Sequence, residues 1–277
     1  MKRLLTIAHL TLHETGRRRI LLSVLICGLA FLLLFALGFY FVRGNVRSHT
    51  TALLEQRMIL TFLLLAGLYA VNFLTVLTAV LLPVDTLSGE IASGVMQTLA
   101  SKPIRRSEIL LGKWLAYAVI VAFYLALLGG GVLLVGRVIG GFVPPGVAPG
   151  LALILLEGIL VLTLVIAAGT RLTTISTGVV VFGLYGLAFI GGWVEQIGTM
   201  AGNDAARRIG IIVSLFMPSE SLWQLAAHGM QPPIMSQLQL TPFSPASVPS
   251  PAMVTWAAGY IAVMLVVALS QFQRRPL

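Results

Sequence analysis

The stretch Ile20-Leu-Leu-Ser-Val-Leu-Ile-Cys-Gly-Leu-Ala-Phe-Leu-Leu-Leu-Phe-Ala-Leu-Gly-Phe-Tyr-Phe-Val42 decides the fold. It carries no charge from end to end, and Arg17, Arg18 and Arg19 stand immediately before it. At about 1.5 Å of rise per helical residue, such a run crosses a hydrocarbon layer of roughly 30 Å. Lipid offers backbone N–H and C=O groups no partners, and a helix satisfies them within its own segment. Five further apolar runs follow at 59–83, 114–136, 150–170, 175–194 and 253–272. The expectation is an all-α integral membrane protein with six transmembrane helices, forming a single domain over 1–277.

Composition agrees. Of the 277 residues, 58% are hydrophobic and 10% charged, with a mean hydropathy of +0.98. A soluble domain carries roughly 25% charged residues, so this chain cannot clothe itself in a polar surface. The net charge of +9 does not point to nucleic acid, because the basic residues sit in short clusters beside apolar runs and form no stripe with interleaved aromatics. The single cysteine, Cys27, rules out an intrachain disulfide and leaves the redox compartment open. The N-terminus does not read as a cleavable signal, since its first long apolar run is too long and lacks a small-x-small cleavage site.

With six spans both termini share a side. That side holds 12 of the 18 Lys and Arg residues, including Lys2, Arg3, Arg17–Arg19, Lys102, Arg105, Arg106, Lys113, Arg171, Arg274 and Arg275. The positive-inside rule makes it cytoplasmic in a cell membrane. Ahead of the first span, Leu5, Ala8 and Leu12 recur at helical spacing between basic residues, the pattern of an interfacial elbow helix.

The loop 84–113 is the longest cytoplasmic segment. Pro83 closes the preceding span, Gly89 and Gly94 bracket a polar stretch, and Val95, Met96 and Leu99 give a short helix one apolar face. Pro103 stops that helix, and Ser107 with Glu108 is expected to cap a new one that continues into the third span.

This loop reads Asp85-Thr-Leu-Ser-Gly-Glu90-Ile-Ala-Ser-Gly94-Val-Met-Gln97-Thr-Leu-Ala-Ser101-Lys-Pro103-Ile-Arg-Arg106-Ser-Glu108-Ile-Leu-Leu-Gly112-Lys113. It resembles the signature loop of ABC type-2 exporter permeases, most of all the branch that includes the permease of the nitrous-oxide-reductase maturation transporter. Pro218-Ser-Glu220-Ser-Leu-Trp223, before the last span, also looks like that branch. The resemblance implies a cytoplasmic coupling helix over 94–101 that docks on a separate ABC ATPase. Glu90, Val95, Met96, Gln97, Leu99, Ser101, Lys102, Arg105 and Arg106 would then form the ATPase-coupling surface. It further implies a second permease copy, as a homodimer or a related pair. The chain itself lacks any G-x-x-x-x-G-K-[ST] phosphate loop. It is therefore expected to be non-catalytic and to bind no cofactor, with ATP and Mg used by the ATPase. Membrane lipids are the remaining expected partner. Lipid, drug, peptide, sulfur species and a periplasmic partner protein all stay open as cargo.

Between the fifth and sixth spans, 195–251 reads as two short helices broken at Met217-Pro218-Ser219 and dipping into the outer leaflet, followed by a Pro- and Ser-rich linker. Glu157 is the one acidic residue well inside a span, about 10 Å from its outer end. Ionisable groups at such depth face a bundle interior or a water path, so Glu157 is expected on the translocation pathway or the dimer seam. The alternative for Glu157 is a protonated side chain bonded to a neighbouring helix. Gly136-x-x-x-Gly140 offers a close helix contact of low specificity. His9 with His13, and His228 with Met230 and Met235, lack the further ligands of a metal site.

Two rival classes remain beside the permease: an ion-coupled secondary transporter and a non-transporting membrane scaffold. The first normally displays polar clusters or broken helices near the midplane, and the sequence offers one Glu. An intramembrane enzyme finds no support, because His9, His13, His49 and His228 all lie outside the spans and Glu157 has no evident acidic partner.

Overall fold

The computed structural model describes residues 2–49, 53–86, 89, 105–232 and 247–274. Helix is the only repetitive structure among them. In chain order the elements are α1 Lys2–Gly16, α2 Arg19–His49, α3 Leu53–Leu81, α4 Arg106–Val135 closed by a π-turn Gly136–Gly140, α5 Val147–Gly169, α6 Thr174–Met200, α7 Asp204–Phe216, α8 Ser219–Gly229 and α9 Ala252–Arg274. Six of them, α2 to α6 and α9, are long and apolar enough to cross a membrane. All six expected spans are therefore present.

Several boundaries move for local reasons. The third span begins at Arg106, a full two turns before the apolar run, because polar residues prolong the same helix. Its cap is Arg105 rather than Ser107. The Arg105 N–H donates to the Glu108 carboxylate at 3.1 Å, which leaves Ser107 inside the first turn. Gly141 and Gly146, with φ of 74° and 60°, turn the chain from α4 into α5. A Cβ on Gly146 would lie 2.3 Å from the Gly229 carbonyl oxygen, so the end of α8 presses directly on this turn.

α5 is the centre of the bundle, in contact with α3, α4, α6, α8 and α9. In lipid, helices associate through close packing and interhelical hydrogen bonds rather than the hydrophobic effect, and small residues permit the approach. Gly136 is one such place, but its neighbour is internal: a Cβ there would meet Leu64 of α3 at 2.2 Å. Gly140 is covered by Phe39 and Phe142. The Gly136–Gly140 pair is thus used up within this chain.

α1 packs on α4 through Ile7, Ala8, Thr11 and Thr15, all buried. Of the apolar positions Leu5, Ala8 and Leu12, Ala8 belongs to this protein-facing stripe. Gly112 of α4 admits Ile7, whose Cγ2 would sit 2.8 Å from a Cβ at that position, while Leu5 is 56% exposed.

α7 and α8 form a hairpin bent by 104° around Met217 and Pro218. Asn203 caps α7 by accepting from the N–H groups of Ala205 and Ala206. Trp256 Nε1 donates to the Leu215 carbonyl at 2.9 Å, tying α7 to α9. The expected coupling helix 94–101 lies outside the described residues, together with Glu90, Val95, Met96, Gln97, Leu99, Ser101 and Lys102. Most of the expected linker, 233–246, does as well.

Candidate functional site

Chemistry-bearing side chains gather at two depths of the bundle. The first is the end that carries α1, where both flanks of the loop 84–113 are fastened to other spans. On the near flank, Thr174 Oγ1 of α6 donates to Asp85 Oδ1 at 3.0 Å. One residue on, the hydroxyls of Thr86 and Tyr117 share a buried hydrogen bond. On the far flank, Arg106 Nη1 donates to the Gln273 carbonyl of α9 at 3.2 Å. Trp114 Nε1 donates to Thr163 Oγ1 at 2.9 Å, and Thr170 Oγ1 to Gln271 Oε1 at 2.8 Å, so α4, α5 and α9 are laced together at this level. Arg105 is exposed and Arg106 partly so. Lys113 departs from the picture of a solvated charge: it is 5% exposed.

The second gathering surrounds Glu157. Because α5 starts at Val147, Glu157 lies about 15 Å along the helix, close to mid-depth. It is 1% exposed. Asn72 of α3 donates from Nδ2 to Glu157 Oε1 at 3.3 Å. Gly158, next in sequence, explains how three spans converge here: a Cβ there would meet Val121 of α4 at 3.0 Å and Thr75 of α3 at 3.4 Å.

A second acid, Glu220 at the start of α8, is near enough for its charge to be felt at Glu157. The hairpin brings Glu220 inward. Tyr69 packs against Trp223 of α8 with ring centroids 5.0 Å apart, and Gly192 of α6 makes room for the Glu220 side chain, whose Cγ would lie 2.4 Å from a Cβ at that position. Gln224 hydrogen-bonds the Glu220 carboxyl. Tyr69, Asn72, Tyr185, Glu220 and Gln224 were all visible in the sequence as polar or aromatic residues, yet nothing in the spacing along one chain brings four elements together.

No cluster of three or more His, Cys, Asp or Glu residues able to hold a metal ion occurs among the described residues. His9 and His13 stack with their ring centroids 6.4 Å apart.

A family model described as ABC-2 family transporter protein matches residues 7–277. The chain belongs to that family. This ABC-2 protein is accordingly a multi-pass membrane permease of an ABC transporter, a class whose general partner is an ABC ATPase. Comparison with curated proteins gives no match. In this ABC-2 permease the pinned loop flanks lie at one end of the bundle and the buried Glu157 lies inside it.

Proposed function

We propose that this permease forms the translocation pathway of an exporter and converts ATP hydrolysis on a separate ATPase into movement of its spans. The observation that supports the reading best is the double attachment of the loop 84–113. Asp85 is tied to α6 and Arg106 to α9, so a push on the loop pulls on two spans that are not its neighbours in sequence. Rigid-body transmission of this kind needs a stiff connection at each end of the pushed element. The coupling helix 94–101 is the pushed element, with Leu99, Met96 and Val95 as its docking face and Glu90, Gln97, Ser101, Lys102, Arg105 and Arg106 around it.

In this reading the loop and both termini face the cytoplasm of a cell membrane, with α1 lying at the lipid surface as the elbow. The branch of the nitrous-oxide-reductase maturation permease is the subgroup the loop resembles most. Two permease copies, identical or related, work with two ATPases that use ATP and Mg, and this chain performs no catalysis of its own. Both α2 and α6 expose long apolar faces, for instance Leu33 and Leu34 on α2 and Ile190 and Ile197 on α6, which suit lipid or a second copy.

Affinity purification in mild detergent tests the docking. An ABC ATPase is expected to co-purify with the wild-type chain and to be lost from Leu99→Asp. Retention by that variant defeats the assignment of the coupling helix, as does a topology map that places Gln97 and Lys102 on the far side of the membrane. A screen for compounds that stimulate hydrolysis in proteoliposomes then identifies the cargo.

A further inference from the structure

We propose that the groove between α2 and α3, at the α1 end of the bundle, holds one anionic phospholipid, with the lipid phosphate on Arg19 and an acyl chain running along the groove toward Tyr124.

The groove follows from helix periodicity. Arg19, Ser23 and Cys27 recur every fourth residue of α2, and Leu74, Thr78 and Leu81 recur at intervals of four and three in α3. Each helix therefore turns one face to the same cavity of about 300 Å³, and Tyr124 of α4 lines it from behind. Gly28 marks where it ends. A Cβ there would lie 2.8 Å from Tyr124 Oη, so α2 and α4 touch at that level and the open space lies on the α1 side of it. From Arg19 to Cys27 the groove runs about 12 Å along the helix.

Its walls suit hydrocarbon. Ser23 Oγ donates to the Arg19 carbonyl at 3.1 Å, Thr78 Oγ1 to the Leu74 carbonyl at 2.7 Å and Tyr124 Oη to the Val24 carbonyl at 3.1 Å. All three hydroxyl hydrogens are thus spent on backbone. What remains facing the cavity is mainly the aliphatic carbon of Ile20, Val24 and the α3 leucines. A volume at the lower end of the usual ligand range admits one slender chain more readily than a bulky ring system.

Charge selects the headgroup. Arg19 is the one charged residue lining the groove; it is exposed and stands at the first residue of a span, the level of lipid headgroups. Its neighbour Arg18 is joined to Glu14 at 2.6 Å, whereas no acid among the described residues pairs with Arg19. A guanidinium carries five N–H donors in a fixed fork and matches phosphate oxygens two at a time. Phosphatidylcholine also has a phosphate but brings its own cation, which competes with Arg19. A lipid of net negative charge brings no such competitor.

Occupancy has a mechanical consequence. A chain lying against Leu74, Thr78 and Leu81 braces α2 against the end of α3 from which the loop 84–113 departs. The lipid site stands whether or not that loop docks an ATPase.

Native mass spectrometry of the full chain, released from nanodiscs of equal parts phosphatidylglycerol and phosphatidylcholine, counts the lipids that stay bound. The wild type is expected to retain one phosphatidylglycerol per chain, preferred over phosphatidylcholine by about five-fold or more. Arg19→Gln is expected to lose the preference. Arg17→Gln, which removes the same charge just outside the groove, is expected to keep it. Ser23→Trp fills the groove with Arg19 intact and is expected to retain neither lipid. A wild type that retains no lipid, or both lipids equally, overturns the proposal, and this arm requires no variant to fold. A lipid-free wild-type dimer would likewise overturn it by giving the groove to the second copy. So would equal losses in Arg17→Gln and Arg19→Gln, which surface charge alone explains, or undiminished retention by Ser23→Trp.

Discussion

Thr174 Oγ1 and Asp85 Oδ1 are joined across 3.0 Å, which binds the first residue of α6 to the turn that leaves α3. The neighbouring Thr173 already caps α6, accepting from the Ser176 N–H at 3.4 Å. Thr174 is therefore not needed as a cap, and its hydroxyl is available for a longer-range contact. The loop 84–113 thus leaves the bundle from a point anchored to α6 and re-enters it at Arg106, anchored to α9.

If that anchor transmits force, weakening it should uncouple without undocking. Asp85→Ala removes the acceptor, while Asp85→Asn keeps an oxygen for Thr174. A hydrogen bond to a charged group contributes on the order of 1–2 kcal/mol, so permease-dependent ATP hydrolysis in proteoliposomes should fall about five- to thirty-fold in the alanine variant and much less in the asparagine variant. Co-purification of the ATPase should be unchanged in both. Equal activity of Asp85→Ala and wild type would remove this anchor from the coupling path.

Glycines along α6 should divide sharply in their response to alanine. Gly192→Ala places a methyl 2.4 Å from Glu220 Cγ, and overpacking of this kind costs about 1–3 kcal/mol. A Cβ on Gly183 or Gly186 meets nothing within 4 Å, and there the better helix propensity of alanine should leave the chain unchanged or stabilise it by up to about 1 kcal/mol. Thermal unfolding in detergent separates the three. Pairing Gly192→Ala with Glu220→Ala should recover part of the loss, since the second change vacates the space.

The six spans were legible because bilayer thickness acts on each segment independently: an apolar run such as 20–42 declares itself without reference to any other part of the chain. The break at Pro218 was legible for a similar reason, because a residue without an N–H ends a helix locally. What α1 packs against was not: Ile7 enters a gap left by Gly112, more than a hundred residues away. The inward placement of Glu220 was hidden in the same way. Glu157 stood out by its depth, whereas Glu220 sits in a short polar helix, and only the 104° bend carries it back against α5 and α6.

The hairpin's second tether offers a gentler perturbation than the acids. Trp256 Nε1 donates to the Leu215 carbonyl at 2.9 Å, and Trp256→Phe keeps an aromatic ring while deleting the donor. The loss should be about 1 kcal/mol or less, because the site is exposed. Limited proteolysis within α7–α8 should quicken by up to about five-fold, with global unfolding nearly unchanged, as expected for a locally opening unit. Cleavage at the wild-type rate would mean that the contacts with α6 alone hold the hairpin.

Glu157 itself separates structure from mechanism through the choice of replacement. Leucine removes the acceptor of the Asn72 Nδ2 hydrogen bond and leaves a buried amide unsatisfied, at a cost of about 1–3 kcal/mol in thermal unfolding. Glutamine copies the shape of a protonated glutamate, offers both a donor and an acceptor to Asn72, and cannot give up a proton. Its thermal stability and its assembly with the ATPase should match or exceed wild type. Substrate-stimulated hydrolysis should nevertheless fall by about ten-fold or more if the carboxyl lines the translocation route, since a tenfold change corresponds to only about 1.4 kcal/mol. A glutamine variant that assembles and transports like wild type would take Glu157 out of the translocation route and leave it as a packing residue. One that assembles and stalls would place the carboxyl group, rather than the side chain's bulk, on that route.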